Sequence, residues 1–121
     1  FAFEAAPILA WGTRLREAGV ALPIHIGLAG PAKLQTLIKY AVSCGVGPSL
    51  KVLQKRARDV SKLLLPYEPT ELALDLAARK AADPAFPIEQ AHLFPLGGLR
   101  SCADWAASHG GTAARPAARA V

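Results

Sequence analysis

Residues 22–46, LPIHIGLAGPAKLQTLIKYAVSCGV, decide how this chain reads. Leu22 to Ile26 is a short apolar run with the character of a buried strand, and Gly27-Leu28-Ala29-Gly30 follows as a glycine-rich corner. Pro31 then takes the first turn of a long helix, where its missing N–H would have had no partner in any case. Beyond it, Leu34, Leu37, Ile38, Ala41 and Val42 recur at the spacing of one helical face, with Lys33 and Lys39 left toward water. Gly45 supplies a C-terminal stop. Strand, corner and helix make a βα unit of the kind that closes barrels or doubly wound sheets.

Upstream, Phe1-Ala2-Phe3-Glu4 looks like the C-terminal end of a strand. From Pro7, the residues Ile8, Leu9, Trp11, Leu15 and Ala18 have helical spacing, up to a glycine stop at Gly19. Downstream, Gly47-Pro48-Ser49 opens a helix predicted through about Leu64. Pro66 and Pro69 break the chain. Thr70 then caps a helix with Glu71 in its first turn, where a carboxylate suits the dipole, and Leu72, Leu76 and Ala77 point inward. That helix ends near Ala82, and Asp83-Pro84 is a turn signal. Ile88 to Phe94 is the next strand, Pro95 to Gly98 a turn, and Leu99 to Ser108 a final helix.

Every strand-to-strand connection is long and helical, so parallel pairing is required. The strands at Leu22–Ile26 and Ile88–Phe94 are expected to be parallel neighbours, with Phe1–Glu4 on the other side of the former. A (βα)8 barrel takes ~250 residues. The fold class expected is therefore α/β, with residues 1–110 as the C-terminal three βα units of a TIM barrel carrying one extra helix. A complete small three-stranded α/β domain is the alternative. Because Phe1 falls within an apolar alternating stretch, the chain is expected to be the C-terminal piece of a longer polypeptide.

Composition narrows the classes. Hydrophobic residues make up 52% of the 121, enough to expect a core. No apolar run approaches the ~18 residues of a spanning helix, and no charged-then-apolar leader is present. Cys44 and Cys102 form no C-x-x-C pair and read as reduced thiols of a cytoplasmic protein. His25, His92 and His109 are too scattered to predict a metal site. The net charge of +5 would suit acidic ligands, but two of the arginines, Arg115 and Arg119, belong to the Ala/Pro/Arg stretch at residues 111–121, expected to be a disordered tail. No G-x-S-x-G, Walker or H-E-x-x-H motif occurs, which leaves hydrolase and nucleoside-triphosphate readings without support.

In order along the chain, the FAFE strand end, Ala18-Gly19-Val20, Pro23-Ile24-His25-Ile26-Gly27, Lys39-Tyr40-Ala41, Cys44-Gly45-Val46-Gly47-Pro48 and Ala91-His92-Leu93-Phe94 resemble the C-terminal part of methylenetetrahydrofolate reductase, a flavin-containing (βα)8 barrel. The resemblance implies an oxidoreductase of one-carbon metabolism and methionine biosynthesis. NAD(P)H reduces bound FAD, and the flavin reduces 5,10-methylenetetrahydrofolate to 5-methyltetrahydrofolate. In such enzymes the cofactor does the redox work, and the protein orients and tunes it. The resemblance also implies that the catalytic acid and most FAD contacts lie on earlier strands. Residues 1–121 alone are then expected to bind no FAD, to be inactive and to be prone to aggregation. No nucleic acid or membrane partner is implied, and a homo-oligomer is left open.

By position, Tyr40 matches a family aromatic that stacks on the folate, and Thr36, one turn earlier, matches a substrate-contacting glutamine for which threonine is short. Gly97-Gly98 stands where the family more often has asparagine and arginine, so Arg100 is the candidate to hold the folate's glutamate carboxylate. Each has a plainer role open to it: Tyr40 as a helix aromatic with a wet hydroxyl, Gly97-Gly98 as a tight turn. His25 and His92 fall on strand faces that in a barrel point inward, as core or site residues. Lys51, Lys55, Arg58 and Lys62 lie near one side of the helix at residues 49–64, opposite Leu50, Leu53, Ala57, Val60 and Leu64. That stripe supports a second reading, a small α/β binding module that uses the basic helix for nucleic acid or acidic surfaces. A third is a barrel of different chemistry with phosphate at Gly97-Gly98.

Overall fold

The computed structural model describes residues 1–59 and 65–110, apart from the side chains of Pro48 and Ser49. Among them the order is α1 (Ala5–Glu17), β1 (Ile24–Ala29), α2 (Leu34–Ser43), α3 (Gly47–Ala57), α4 (Thr70–Ala82), β2 (Ile88–Phe94) and α5 (Leu99–Ser108). The chain is mixed α/β. Its two strands pair in parallel, as the helical connections require, with Ile26 opposite Ala91, Leu28 opposite Leu93 and Ala29 opposite Phe94. Residues 60–64 and 111–121 lie outside the described residues. The helix predicted through about Leu64 ends at Ala57, with Arg58 as its C-cap; the rest of that prediction, with Val60, Lys62 and Leu64, and the expected tail lie outside the described residues.

The bounds of β2 and α5 are those the sequence predicts. β1 is not: it starts two residues later than expected and runs through Gly27 to Ala29, while Leu22 is exposed. Gly27 is a strand position and Gly30 directly follows the strand. A Cβ on Gly27 would stand 2.5 Å from Cε2 of Phe94, and one on Gly30 would stand 2.7 Å from Sγ of Cys102. A glycine inside a strand often marks such close approach. Pro31 is likewise not in a helix. Ala32 donates to and accepts from Tyr67 (3.1 and 2.8 Å), an antiparallel bridge that keeps the chain extended until α2 begins at Leu34. Phe1–Glu4 makes one parallel bridge, Ala2 with Leu28, rather than a strand, and Glu4 is already the N-cap of α1. The Ala2 N–H donates to the Gly27 carbonyl, whereas the Gly30 N–H donates to Phe94 of β2. Backbone groups three residues apart in a strand point to opposite edges, so the N-terminal segment lies along the edge of β1 away from β2.

One irregularity sets the faces. Ile24 pairs with Ile88 but His25 with Gln90, so Glu89 is an extra residue in β2. Strict alternation would turn Ile88 and Leu93 to opposite faces. The bulge restores them to one. Ile24, Ile26, Leu28, Ile88 and Leu93 join Ile8, Leu72, Leu76 and Phe86 in one apolar cluster against α1 and α4. Phe86 is nearly fully buried, with Arg16 and Arg79 over its ring at 5.9 and 4.6 Å. Burial of such a side chain is worth about 1.5–3 kcal/mol. A second cluster holds Phe3, Ala29, Ala32, Leu34, Leu37, Ala41, Leu53 and Tyr67, joining α2 and α3 to the C-terminal end of β1.

Several predicted inward positions are corrected. Val42 and Trp11 are exposed, as are Ala18 and Ala77, and α1 begins at Ala5, before Pro7. Thr70 is the first residue of α4 and caps nothing; its Oγ1 accepts the Trp105 indole N–H at 3.0 Å, tying α5 to α4. The glycine stops hold. At φ +81° and +68°, Gly19 and Gly45 reverse the chain, and the next residues donate back to Leu15 and Ala41. Arg16 reaches Asp83 at 2.6 Å and its hydrogen bond holds that carboxyl below its ordinary value, while Lys80 bridges Glu89 and the Phe86 carbonyl. These are exposed pairs of small individual worth.

Gly97 is the tightest contact. A Cβ there would overlap the Pro31 carbonyl oxygen and stand 2.6 Å from Cα of Ala32. Gly97→Ala is expected to lower stability by about 1–3 kcal/mol, the cost of forcing extra volume into packed backbone. Gly47→Ala, with nothing within 4 Å of its added carbon, should be neutral or slightly stabilising. Urea midpoints of the two variants check this, and equal midpoints would contradict it.

Candidate functional site

The sheet has two unlike faces. His25, Gly27, Gln90, His92 and Phe94 occupy the one turned away from α1 and α4. His25, Gln90 and His92 are exposed. Phe94 lays its ring over Gly27, with the His92 imidazole edge-on at 4.9 Å and Phe1 at 6.1 Å. Phe1 meets Phe3 edge-to-face at 5.6 Å, and Phe3 meets Tyr67 at 5.2 Å. An aromatic chain thus leads from the open face of β2 to the interior between α2, α3 and α4. Edge-to-face pairs each add about 0.5–1.5 kcal/mol beyond area burial.

Thr36 and Tyr40 sit one turn apart on α2, as the sequence predicts, on a side flanking the buried stripe of Leu34, Leu37 and Ala41. Thr36 is half-buried and Tyr40 is 41% exposed. Arg100 is exposed in the first turn of α5. None of the three lines the cavities described below. Gly97 is a close-packing residue against Pro31-Ala32, and Gly98, at φ +117°, is the N-cap of α5; a tight turn accounts for both. Lys51 and Lys55 are exposed on α3 and Arg58 is exposed at its C-cap, but Arg56 lies over the Tyr67 ring at 5.2 Å.

Two features escape sequence reasoning. At the C-terminal ends of the strands, Pro31, Ala32 and Gly97 form one wall of a groove of about 510 Å³. Its other wall is α5, with Trp105 stacked on His109 at 4.4 Å and the His109 Nδ1 within 2.8 Å of the Trp105 carbonyl oxygen. Open α/β sheets bind ligands at this end of the strands. The second feature is Tyr67. It is 4% exposed, and among the described residues its hydroxyl is the side-chain polar atom that is buried without a hydrogen-bond partner. No motif announces it, because the burial comes from Phe3, Arg56 and Ala32, all distant in sequence.

No protein-family model matches the chain. Among the described residues no group of three or more His, Cys, Asp or Glu is placed to hold a metal ion, and no helix is long and apolar enough to cross a membrane. Cys44 is an exposed free thiol; Cys102 is buried, which pushes its thiol pKa up.

Burial pushes the Tyr67 phenol to about 12 from an ordinary 10.0, with Arg56 pulling down and Glu71 adding to the rise. A raised folded-state value means that its contribution is whole below pH 10.0 and is lost as pH rises toward about 12. Relative to Tyr67→Phe, the wild type should lose about 2–3 kcal/mol across that interval. Below it, Tyr67→Phe should be equally or more stable, since no hydrogen bond is removed. Paired denaturant titrations across the alkaline range check both signs.

Proposed function

We propose that residues 1–110 are the C-terminal part of a flavin-dependent (βα)8 barrel of the methylenetetrahydrofolate reductase type, whose remaining strands lie outside this segment. What supports the barrel is the division of the sheet. Apolar side chains of β1 and β2 face the helices, while His25, Gln90, His92 and Phe94 take the face that a barrel would enclose. The parallel bridge of Ala2 on the far edge of β1 fits a third strand in the same sense. What supports the reductase is the ordered resemblance of the six sequence segments, together with the placement of Thr36 and Tyr40 one turn apart, the tyrosine exposed.

FAD, when bound, accepts a hydride from NAD(P)H and passes it to the folate. The open face fits a flat heteroaromatic ring in character: an aromatic ring, two imidazoles and an amide lie side by side there. It forms one wall and encloses nothing alone, in keeping with FAD contacts supplied by other strands. On this reading Tyr40 stacks against the pterin or aminobenzoate ring, Thr36 offers a hydroxyl beside it, and Arg100 attracts the glutamate carboxylate. The segment positions substrate, and the catalytic acid is elsewhere.

The polypeptide encoded by the complete gene should purify with flavin absorbance and oxidise NAD(P)H in the presence of methylenetetrahydrofolate. A colourless protein that takes up no FAD would sink the reading. In the active protein, Tyr40→Ala should lower kcat/KM for folate about fivefold, matching a stacking contribution of about 1 kcal/mol, with flavin content unchanged. Equal loss of flavin and folate use would instead make Tyr40 a structural residue.

A further inference from the structure

Charge is divided unevenly along this chain. None of its nine acidic residues falls between residues 18 and 58, a stretch that holds Lys33, Lys39, Lys51, Lys55, Arg56 and Arg58. That stretch supplies β1, α2 and α3. The exposed residues Lys51, Gln54, Lys55 and, at the C-cap, Arg58 recur at i, i+3, i+4 and i+7, so three cations share one face of α3. The opposite face belongs to the interior: Leu53 is fully buried, and Leu50 and Ala57 pack against the same cluster.

Arg16 and Lys80 pair with Asp83 and Glu89, and Arg56 and Arg79 lie over the rings of Tyr67 and Phe86. Lys51, Lys55 and Arg58, by contrast, form no ion pair among the described residues. Asp59 follows directly after this face, and Lys55 borders a cavity of about 640 Å³ between α1, α3 and α4 whose walls include Glu71 and Asp75. Lys51 and Arg58 do not line that cavity. At a rise of about 1.5 Å per residue, these two stand about 10 Å apart along the helix axis. Cations held in such a row attract an anion whose charge repeats, since one small anion cannot reach all three.

Shape selects among polyanions. The apolar side of α3 is buried, which leaves it nothing to insert into a bilayer. The exposed face is convex and carries no aromatic side chain, whereas single strands are held in cationic grooves with stacking platforms. A helix of 11 residues, about 16 Å long, matches the major groove of B-form DNA, about 12 Å wide; the A-form groove of duplex RNA is too narrow. Chain order agrees, because α2 and α3 are joined by Cys44-Gly45-Val46, with Gly45 at φ +68° making the turn. Two helices linked by a short glycine turn, the second entering the groove, is the order of a helix-turn-helix pair. We propose that α3 docks on duplex DNA, with Lys51, Lys55 and Arg58 on phosphates and Gln54 toward the base edges. The proposal is independent of the reductase reading, since none of these four residues belongs to the open sheet face or to the folate contacts.

The test is fluorescence anisotropy of a short labelled DNA duplex titrated with the gene-encoded protein. Saturable binding is expected, weakening about fortyfold as salt rises from about 50 to about 200 mM, the counterion release of roughly three phosphates. The same sequence as duplex RNA or as a single strand should bind about fivefold more weakly. The triple variant Lys51→Gln, Lys55→Gln, Arg58→Gln, at exposed positions, should lose about tenfold or more with an unchanged melting temperature, and Lys51→Gln alone about threefold. Arg14→Gln, which removes an exposed cation of α1, should bind as the wild type does. Absence of saturable binding, equal binding of duplex RNA, of the single strand or of poly-L-glutamate, undiminished affinity in either α3 variant, or the same loss in Arg14→Gln would overturn the proposal.

Discussion

The structure depends on how closely two backbone segments approach beyond the C-terminal ends of the strands. Gly97 rests against Pro31 and Ala32, Gly30 against Cys102 and Gly27 beneath the Phe94 ring. A side chain at any of these positions would need space already taken by backbone, sulfur or ring. The seam lets α5 fold back beside β1, and it fixes Ala32 in its bridge to Tyr67. That bridge brings α4 under the first strand and buries the tyrosine. Removing one methyl-sized vacancy would therefore disturb both apolar clusters together.

From this seam the two faces follow. The parallel pair sets Ile26 beside Ala91 and Leu28 beside Leu93, and the Glu89 bulge brings Ile88 into line with them. Helices α1 and α4 then have one continuous apolar surface to cover. The opposite face is left with His25, Gln90, His92 and Phe94, a composition that suits the neighbourhood of a ligand better than a helix contact. The aromatic chain Phe94, Phe1, Phe3, Tyr67 leads from that face into the apolar cluster that joins α2 and α3 to β1.

Much of the architecture was legible in the sequence where local chemistry decided it. The β2 and α5 bounds, the glycine stops at Gly19 and Gly45 and the parallel sense all follow from short-range signals. The failures share a cause. Gly27 and Gly30 carry ordinary turn chemistry locally, yet Gly27 lies within the strand and Gly30 at its end, where Phe94 and Cys102 arrive from far along the chain. Pro31 suits a helix start, but a backbone bridge to Tyr67 holds its neighbour extended. Thr70 has the residue type of a cap and serves as the acceptor for Trp105 instead. Of the candidate site residues, the pairing of Thr36 with Tyr40 was readable from helical periodicity. The cavity of about 640 Å³ between α1, α3 and α4 was legible only in part: Glu68, Glu71 and Asp75 share helical spacing, whereas Glu4 and Asp59 reach it from elsewhere in the chain.

The central claim is that the face bearing His25, Gln90, His92 and Phe94 is the interior of a larger closed sheet. The interior of such a barrel is packed with side chains rather than open. The most direct measurement is the rate of thiol modification of Gln90→Cys in the gene-encoded protein, read against its own two cysteines, exposed Cys44 and buried Cys102. The account predicts slow modification, close to that of Cys102. Modification as fast as that of Cys44 would show that this face meets water, and would contradict it.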